Sequence, residues 1–350
     1  RLDYVIRVFD NPLEINPSAW DTLCAAQDIP SPFMRHAYLA ALHSSGSATP
    51  TTGWHPQFVT VWQDDALVAG CALYLKDHSY GEYVFDWAWA KAYDDHGLNY
   101  YPKALTAVPF TPVPGARLLA INAPCRLALL QECVSLCQTR GLSSLHLLFM
   151  SPADGAACDA LGLLQRQTVQ FHWQNQGFVS FDAFLASLTQ EKRKKIKQER
   201  RRVSDAGISF RTMQGSDIQT EDWDFFYQCY ERTYLEHGNA PYLSRSFFKA
   251  MQRDMPANWL LFIAEREQRP IASSLIGIQG IGSPESVAYG RYWGALERVD
   301  CLHFEACYYQ PLAWCIENNV SRFEGGAQGE HKMARALMPV TTFSAHWLAE

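Results

Sequence analysis

One order of elements occurs twice along the chain, and it constrains the fold more than any other feature. In the second half, residues 259–266 and 270–279 read as two strands of a hairpin across the turn Glu267-Gln268-Arg269. A third strand is read at 286–295, a helix at about 302–318, a short strand at 322–325 and a last strand at 341–348. In the first half, 57–63 and 66–76 form a hairpin across Asp64-Asp65, and the aromatic-rich segment 80–90 takes the third-strand place. A Pro-rich stretch at 102–114 precedes a helix at 124–140, closed by Gly141. A strand at 143–150, a short helix capped by Ser151-Pro152-Ala153-Asp154, and a strand at 164–173 complete the set. Ahead of the hairpin lie a strand at 4–10, a short helix opened by Asn16-Pro17, and a helix at 36–44.

The repeat is one of pattern, with slight identity between the halves. A chain of 350 residues is long enough for two cores. The reading is therefore a tandem α+β or α/β protein with mixed, mostly antiparallel sheets flanked by helices. Its domains are expected at 1–175 and 176–350, with a helical insertion at about 182–255 that contains a basic helix at 190–206.

Bulk properties remove several function classes. The net charge of −6 is spread along the chain, so any anion-binding role must come from a local cluster. No run approaches the roughly 18 apolar residues of a membrane span. The ten cysteines sit singly in apolar patterns, with no Cys-x-x-Cys pair, which reads as a reduced, cytoplasmic protein without a metal site. Arg1-Leu2-Asp3 leads straight into a strand with no apolar signal region, and the missing Met is read as a sign that these are not the native first residues. There is no Gly-x-Ser-x-Gly elbow, P-loop, dinucleotide-binding glycine fingerprint or His-Glu-x-x-His.

Five segments could carry chemistry. In the first, from Lys192 to Arg202, eight of eleven residues are basic. Leu188, Ile196 and Val203 supply a thin apolar stripe, so the charges surround most of a helix that could grip phosphates or carboxylates. The second, from His78 to Trp89, sets Glu82 and Asp86 among five aromatic residues. Two-residue alternation would place Glu82, Val84 and Asp86 on one face and Tyr83, Phe85 and Trp87 on the other. In the third, Tyr289, Arg291 and Trp293 would share one strand face as an anion or carbonyl clamp. The fourth is a helix start at Leu302, capped by Asp300, where His303 and Glu305 sit in the first turn.

The fifth reads Glu324-Gly325-Gly326-Ala327-Gln328-Gly329-Glu330-His331-Lys332, followed by Arg335. Gly325, Gly326 and Gly329 let backbone approach a ligand or cofactor closely. Glu330, His331, Lys332 and Arg335 bring acid, base and cations together. Glu324 and His331 are the candidate general bases.

These strings, with Tyr100-Tyr101-Pro102-Lys103, Pro109-Phe110-Thr111-Pro112 and Gln170-Phe171-His172-Trp173, resemble the FemAB-like predicted N-acyltransferases, a bacterial family of peptidoglycan biosynthesis or recognition. The resemblance spans about residues 28–347. It implies two GNAT-like domains in tandem and transfer of an acyl or aminoacyl group to an amine. In a GNAT-like unit the third strand and the strand after the long helix splay apart, and the reaction occurs in that gap. The cofactor loop of acyl-CoA enzymes should fall at 294–301. The string there, Gly294-Ala295-Leu296-Glu297-Arg298-Val299-Asp300-Cys301, does not match Gln/Arg-x-x-Gly-x-Gly/Ala. The donor stays open between acyl-CoA and aminoacyl-tRNA.

The resulting expectation is a transferase acting on an amine, such as that of a peptidoglycan-precursor peptide. Glu324 or His331 would be the base, and Arg291, Lys332 and Arg335 would hold anionic groups. The second-half gap would carry the chemistry, and the first half, with His78, Glu82 and Asp86, would bind the acceptor. The basic helix would take tRNA or another anion. The alternative is a non-enzymatic module of the same fold that binds a peptide, glycan or other anionic ligand.

Overall fold

The computed structural model describes residues 3–327 and 329–350, apart from the side chains of Ala327 and Glu330. Two compact units emerge. One runs to Thr168 and includes Tyr242–Phe247 and Thr341–Glu350; the other comprises Val169–Pro241 and Phe248–Val340.

The first unit holds β1 (Val5–Phe9), β2 (Trp54–Pro56), β3 (Phe58–Gln63), β4 (Ala66–Cys71), β5 (Leu73–Lys76), β6 (Lys103–Thr106), β7 (Leu119–Ala120) and β8 (Ser144–Leu147). The chain continues as β9 (Leu164–Gln174), β10 (Ile208–Gln214), β11 (Trp259–Arg266), β12 (Arg269–Gln279), β13 (Val287–Ala295), β14 (Arg322–Ala327) and β15 (Met338–Leu348). In the first unit, β1-β3-β4-β7 form one sheet, and β2-β5-β6-β8-β15 lie in order in another. In the second unit the order is β10-β11-β12-β13-β14-β9.

Most neighbours are antiparallel. One parallel pair occurs in each unit at the corresponding place: β6 with β8, and β13 with β14. Each parallel pair is then completed by a strand from the other half of the chain. β9 follows β8 in sequence but pairs with β14, through Phe323↔Trp173 and Glu324↔His172. β15 follows β14 but pairs with β8, through Ala345↔Leu147 and His346↔His146. The last strands are thus exchanged, a long-range pairing that local patterning cannot specify.

Local signals hold where caps are strong. Asn16 accepts from Ala19 N at 2.9 Å and Pro17 opens the helix Pro17–Ala25. Gly141 closes Ala123–Arg140 in the left-handed conformation. Ser151 and Asp154 form a capping box at Pro152–Ala160. Leu129, Cys133 and Cys137 of the long helix are buried against Leu73, Leu145 and Leu147, each of the six less than 1% exposed. All ten cysteines are free. No described helix is long and apolar enough to cross a membrane.

Four local readings are corrected. The run at 66–76 breaks at Ala72, so β5 leaves the hairpin to pair with β2 and β6. The third strand of the first half is β6, inside the Pro-rich stretch; Pro102 immediately precedes it and takes no ladder hydrogen bond from its interior. The segment read as that strand is irregular backbone followed by the helix Trp87–Asp95. Glu82, Val84 and Asp86 are buried and Tyr83 and Phe85 exposed, as the alternation requires, but Gly81 and Tyr83 at φ +81° and +66° bend the chain out of a strand. The helix after β13 is capped by Cys301, not Asp300, and passes through a π-helical turn at Glu305–Tyr309.

Candidate functional site

In the second unit the parallel register of β13 and β14 runs from Val287↔Arg322 to Tyr289↔Glu324 and stops. Beyond it the strands part around a cavity of about 150 Å³. Gly290, Arg291, Trp293, Phe323 and Gly325 line it from the strands, and His303, Cys307 and Tyr308 from the helix that follows β13. The π-helical turn widens the helix where Cys307 and Tyr308 meet the cavity.

A β-bulge decides which side chains face it. Leu275 pairs with Tyr292 but Ile276 pairs with Gly290, so Arg291 is the extra residue. Trp293, opposite Ser274, faces the cavity with its ring 5.4 Å from that of His303. Tyr289 pairs with Glu324, which pairs with His172, and these three share the opposite sheet face from Phe323, Ala288 and Trp173. The expected single face of Tyr289, Arg291 and Trp293 is therefore split by the bulge.

Glu324 is buried at the end of the paired register. Its Oε2 accepts from Arg322 Nε and Nη2 at 3.1 and 3.0 Å. Its Oε1 lies 3.7 Å from His172 Nε2 and has no hydrogen-bond partner. Burial raises its proton affinity and the Arg322 guanidinium opposes the rise. Burial and the nearby Arg322 and Lys332 push His172 down to about 4.

On the cavity side, burial lowers His303 to about 4, reinforced by His331, Arg335 and Lys332, so the imidazole is neutral at pH 7. Tyr308 Oη and His331 Nε2 are 3.4 Å apart. Lys332 donates to Gly325 O at 2.7 Å, and burial draws its ammonium down to about 8. Gly325 is tightly packed, since a Cβ would meet Leu337 and lie 3.0 Å from Phe171 O. Gly329 has φ +103° and a Cβ there would overlap the His331 ring. Gly326 also has positive φ, with open space around it. The side chain of Glu330 lies outside the described residues.

Arg335 and Glu305 turn away from the cavity into ion pairs with the basic helix, which spans Gln190–Asp205. Arg335 Nη2 reaches Glu199 Oε1 at 2.8 Å, and Tyr309 donates its hydroxyl to Glu199 Oε2. Arg200 Nε donates to Glu305 Oε1 at 3.0 Å. Glu199 escaped sequence reading because it sits in a charged run. Its place three residues from Ile196 and four from Val203, on the apolar stripe, is the signal that it is buried. Cys307 and Tyr308 escaped as well, read as helix interior.

The first-unit candidates form a separate buried network. Lys76 Nζ donates to Glu82 Oε2 at 3.0 Å, and Lys103 Nζ to Glu82 Oε1 and Asp86 Oδ2 at 2.6 and 2.5 Å. Tyr100 Oη donates to Asp86 Oδ2 at 2.6 Å and lies 3.1 Å from His146 Nε2. The Nδ1 atoms of His146 and His346 are 2.6 Å apart under Trp89. Four formal charges cancel, which makes their burial tolerable. His78 is set apart, bonded to Thr52 O at 2.8 Å. Lys76, His146 and His346 went unread because they come from separate strands, whereas Lys103 lies in the Tyr100–Lys103 string close to this segment in sequence.

Burial pushes His346 down to about 3 from 6.5 and His146 well below its ordinary value, with Lys103 and Arg166 adding repulsion. The unfolded chain therefore binds more protons than the folded one below about pH 6.5, and stability falls as pH drops from there toward 3. Urea unfolding between pH 7.5 and 4.5 should show this loss, and His346→Gln should make it shallower. An unchanged slope would remove the pair from the acid response.

The strand order, with a parallel pair at the corresponding place in each unit, defines a tandem GNAT-like protein. The chain belongs to the FemAB-like family, described as peptidoglycan biosynthesis/recognition, whose pattern matches residues 12–350. Among solved structures it is similar to FemX, at 10% identity over 96% of each chain with a TM-score of 0.57. It is also similar to L-PGS from Bacillus licheniformis, at 9% identity over 97% of this chain and 93% of that one, TM-score 0.57. A tandem GNAT protein from the clavulanic acid biosynthesis pathway aligns at 12% identity over 99% and 98%, TM-score 0.50. At such identities the likeness speaks to the fold alone. No curated protein matches the chain significantly.

Proposed function

We propose that the chain transfers an acyl or aminoacyl group to an amine, with a peptidoglycan-precursor peptide as the acceptor class. The observation that carries this reading is the gap where β13 and β14 part. It offers a cavity on one sheet face and, at its closed end on the other, a buried carboxylate with a free oxygen.

The amine nitrogen attacks the donor carbonyl carbon held in the gap. Glu324 Oε1 takes the proton from the amine, and burial strengthens it for that task. The carbonyl π electrons move onto oxygen, and the Lys332 ammonium, held beside Gly325, stabilises the negative charge. When the carbonyl re-forms, the bond to the leaving oxygen or sulfur breaks. Tyr308 gives the leaving atom its proton, and His331 is its hydrogen-bond partner for reprotonation. Arg291, on the bulge, binds an anionic part of a substrate. Neutral His303 orients groups within the cavity.

The test offers the purified protein an acyl-CoA or an aminoacyl-tRNA together with a precursor pentapeptide carrying a free side-chain amine. Mass spectrometry of the peptide should show one added acyl group with one donor class. If neither donor modifies a peptide that nevertheless binds, the chain is a binding module of this fold.

A further inference from the structure

A second cavity of the same unit takes no part in that reaction. It lies between the basic helix Gln190–Asp205 and the π-helical turn Glu305–Tyr309 and has a volume of about 490 Å³. Small-molecule sites commonly measure about 300–1,000 Å³. Its floor is apolar, with Phe181, Leu185 and Phe210, and around it stand the cations Lys197, Arg200 and Arg201 against the carboxylates Asp182 and Glu305.

These cations are largely unspent. Arg200 gives only its Nε to Glu305, and its Cζ stands 4.5 Å from the Phe181 ring centroid. Neither of its Nη groups meets a protein acceptor among the described residues. Lys197 and Arg201 form no ion pair among the described residues. Glu305 is already occupied by Arg200 and by Gln310 Nε2, at 3.0 and 3.1 Å. An aromatic and aliphatic floor beneath unpaired guanidinium and ammonium groups complements an anion attached to a flat apolar body. The guanidinium forks favour phosphate oxygens, and the Phe181 ring favours stacking.

We propose that this pocket binds a small organic phosphate carrying an aromatic body. The apolar floor favours a small molecule over a nucleic acid, which would track the outward-facing Lys194, Lys195 and Arg202 instead. Glu305 shares its turn with Cys307 and Tyr308, so the pocket is one helical turn from the cavity in the gap.

Titration calorimetry with 1-naphthyl phosphate, inorganic phosphate and 1-naphthol tests this without any transfer chemistry, so its failure and that of the proposed reaction are distinguishable. The naphthyl phosphate should bind most tightly of the three. Arg201→Gln should weaken it by about 10- to 100-fold, the value of one charge-assisted hydrogen bond. Phe181→Ala should weaken it while leaving inorganic phosphate unchanged. Arg201 is exposed and Phe181 half-buried, and far-ultraviolet circular dichroism would verify folding. Equal affinity for the three probes, or insensitivity to both substitutions, overturns the proposal. So does binding of uncharged tRNA that depends on Lys194 and Lys195 while naphthyl phosphate fails to bind.

Discussion

Glu324→Gln should lower turnover by about 10² to 10⁴, the usual loss on removing a general base, and should abolish the acidic limb of the pH–rate profile. The substitution keeps side-chain volume and an acceptor for Arg322, while removing the group whose Oε1 has no other partner. Tyr308→Phe and His331→Ala should slow the reaction through the other substrate, because they remove the hydroxyl that protonates the leaving atom and its hydrogen-bond partner. A donor with a more acidic leaving group should rescue these two variants but not Glu324→Gln. Full turnover in Glu324→Gln, measured with the donor that supports transfer, would overturn the assignment of the base. His303, which lines the cavity directly and is neutral at pH 7, would then be substituted next.

Truncation after Val340 should unfold the first unit. The lost segment carries Ala345 and His346, which are 0% and 2% exposed, and the register that covers the free side of β8. It also supplies Phe343 O, which accepts from Met150 N at 3.1 Å, and Thr342, bonded to Thr168. Removing it uncovers the edge of a parallel pair and leaves His146 without its partner in the polar network. The expected cost is on the order of the whole stability of a domain, about 5–15 kcal/mol. Hydrogen exchange should show β6 and β8 unprotected in the truncated chain. Wild-type protection there, with an unchanged melting temperature, would mean that the exchanged strand is dispensable. A chain cut near residue 175 should fail for the same reason, since each fragment would then lack the strand that completes its sheet.

Much of the secondary structure follows from local chemistry that the sequence displays. Asn16-Pro17, Gly141 and the Ser151–Asp154 box end helices because they satisfy terminal N–H and C=O groups wherever the chain goes next. The β11–β12 hairpin follows from two strand-forming runs, both largely buried, and the two-residue turn between them. The basic helix follows from helix formers on three faces and one apolar stripe, and its burial of Ile196 and Val203 matches that stripe. The repeated order of elements pointed to two units of mixed sheet, and the resemblance carried by the site strings pointed to their GNAT-like fold; the parallel pair in each unit needs the crossover helix that the pattern contained.

Other features depended on contacts between residues far apart in sequence. No local pattern specifies that β9 pairs with β14 and β15 with β8, since either exchange satisfies the same alternation. A single extra residue at Arg291 reversed the faces of Tyr289 and Trp293, because side chains alternate every residue and one insertion inverts all that follow. The π-helical turn that brings Cys307 and Tyr308 to the cavity shifts residues off the 3.6-residue period from which helix faces are read. Glu82 and Asp86 were legible as a polar pair among aromatic residues, but their partners Lys76 and Lys103 come from the strands β5 and β6. Only the fold brings opposite signs within hydrogen-bonding distance, and that proximity is what makes their removal from water tolerable. The sequence by itself determined most of the elements and their repeated order. The tertiary structure decided which side chains enter the gap, because facing direction is set by register and register by strands remote in the chain.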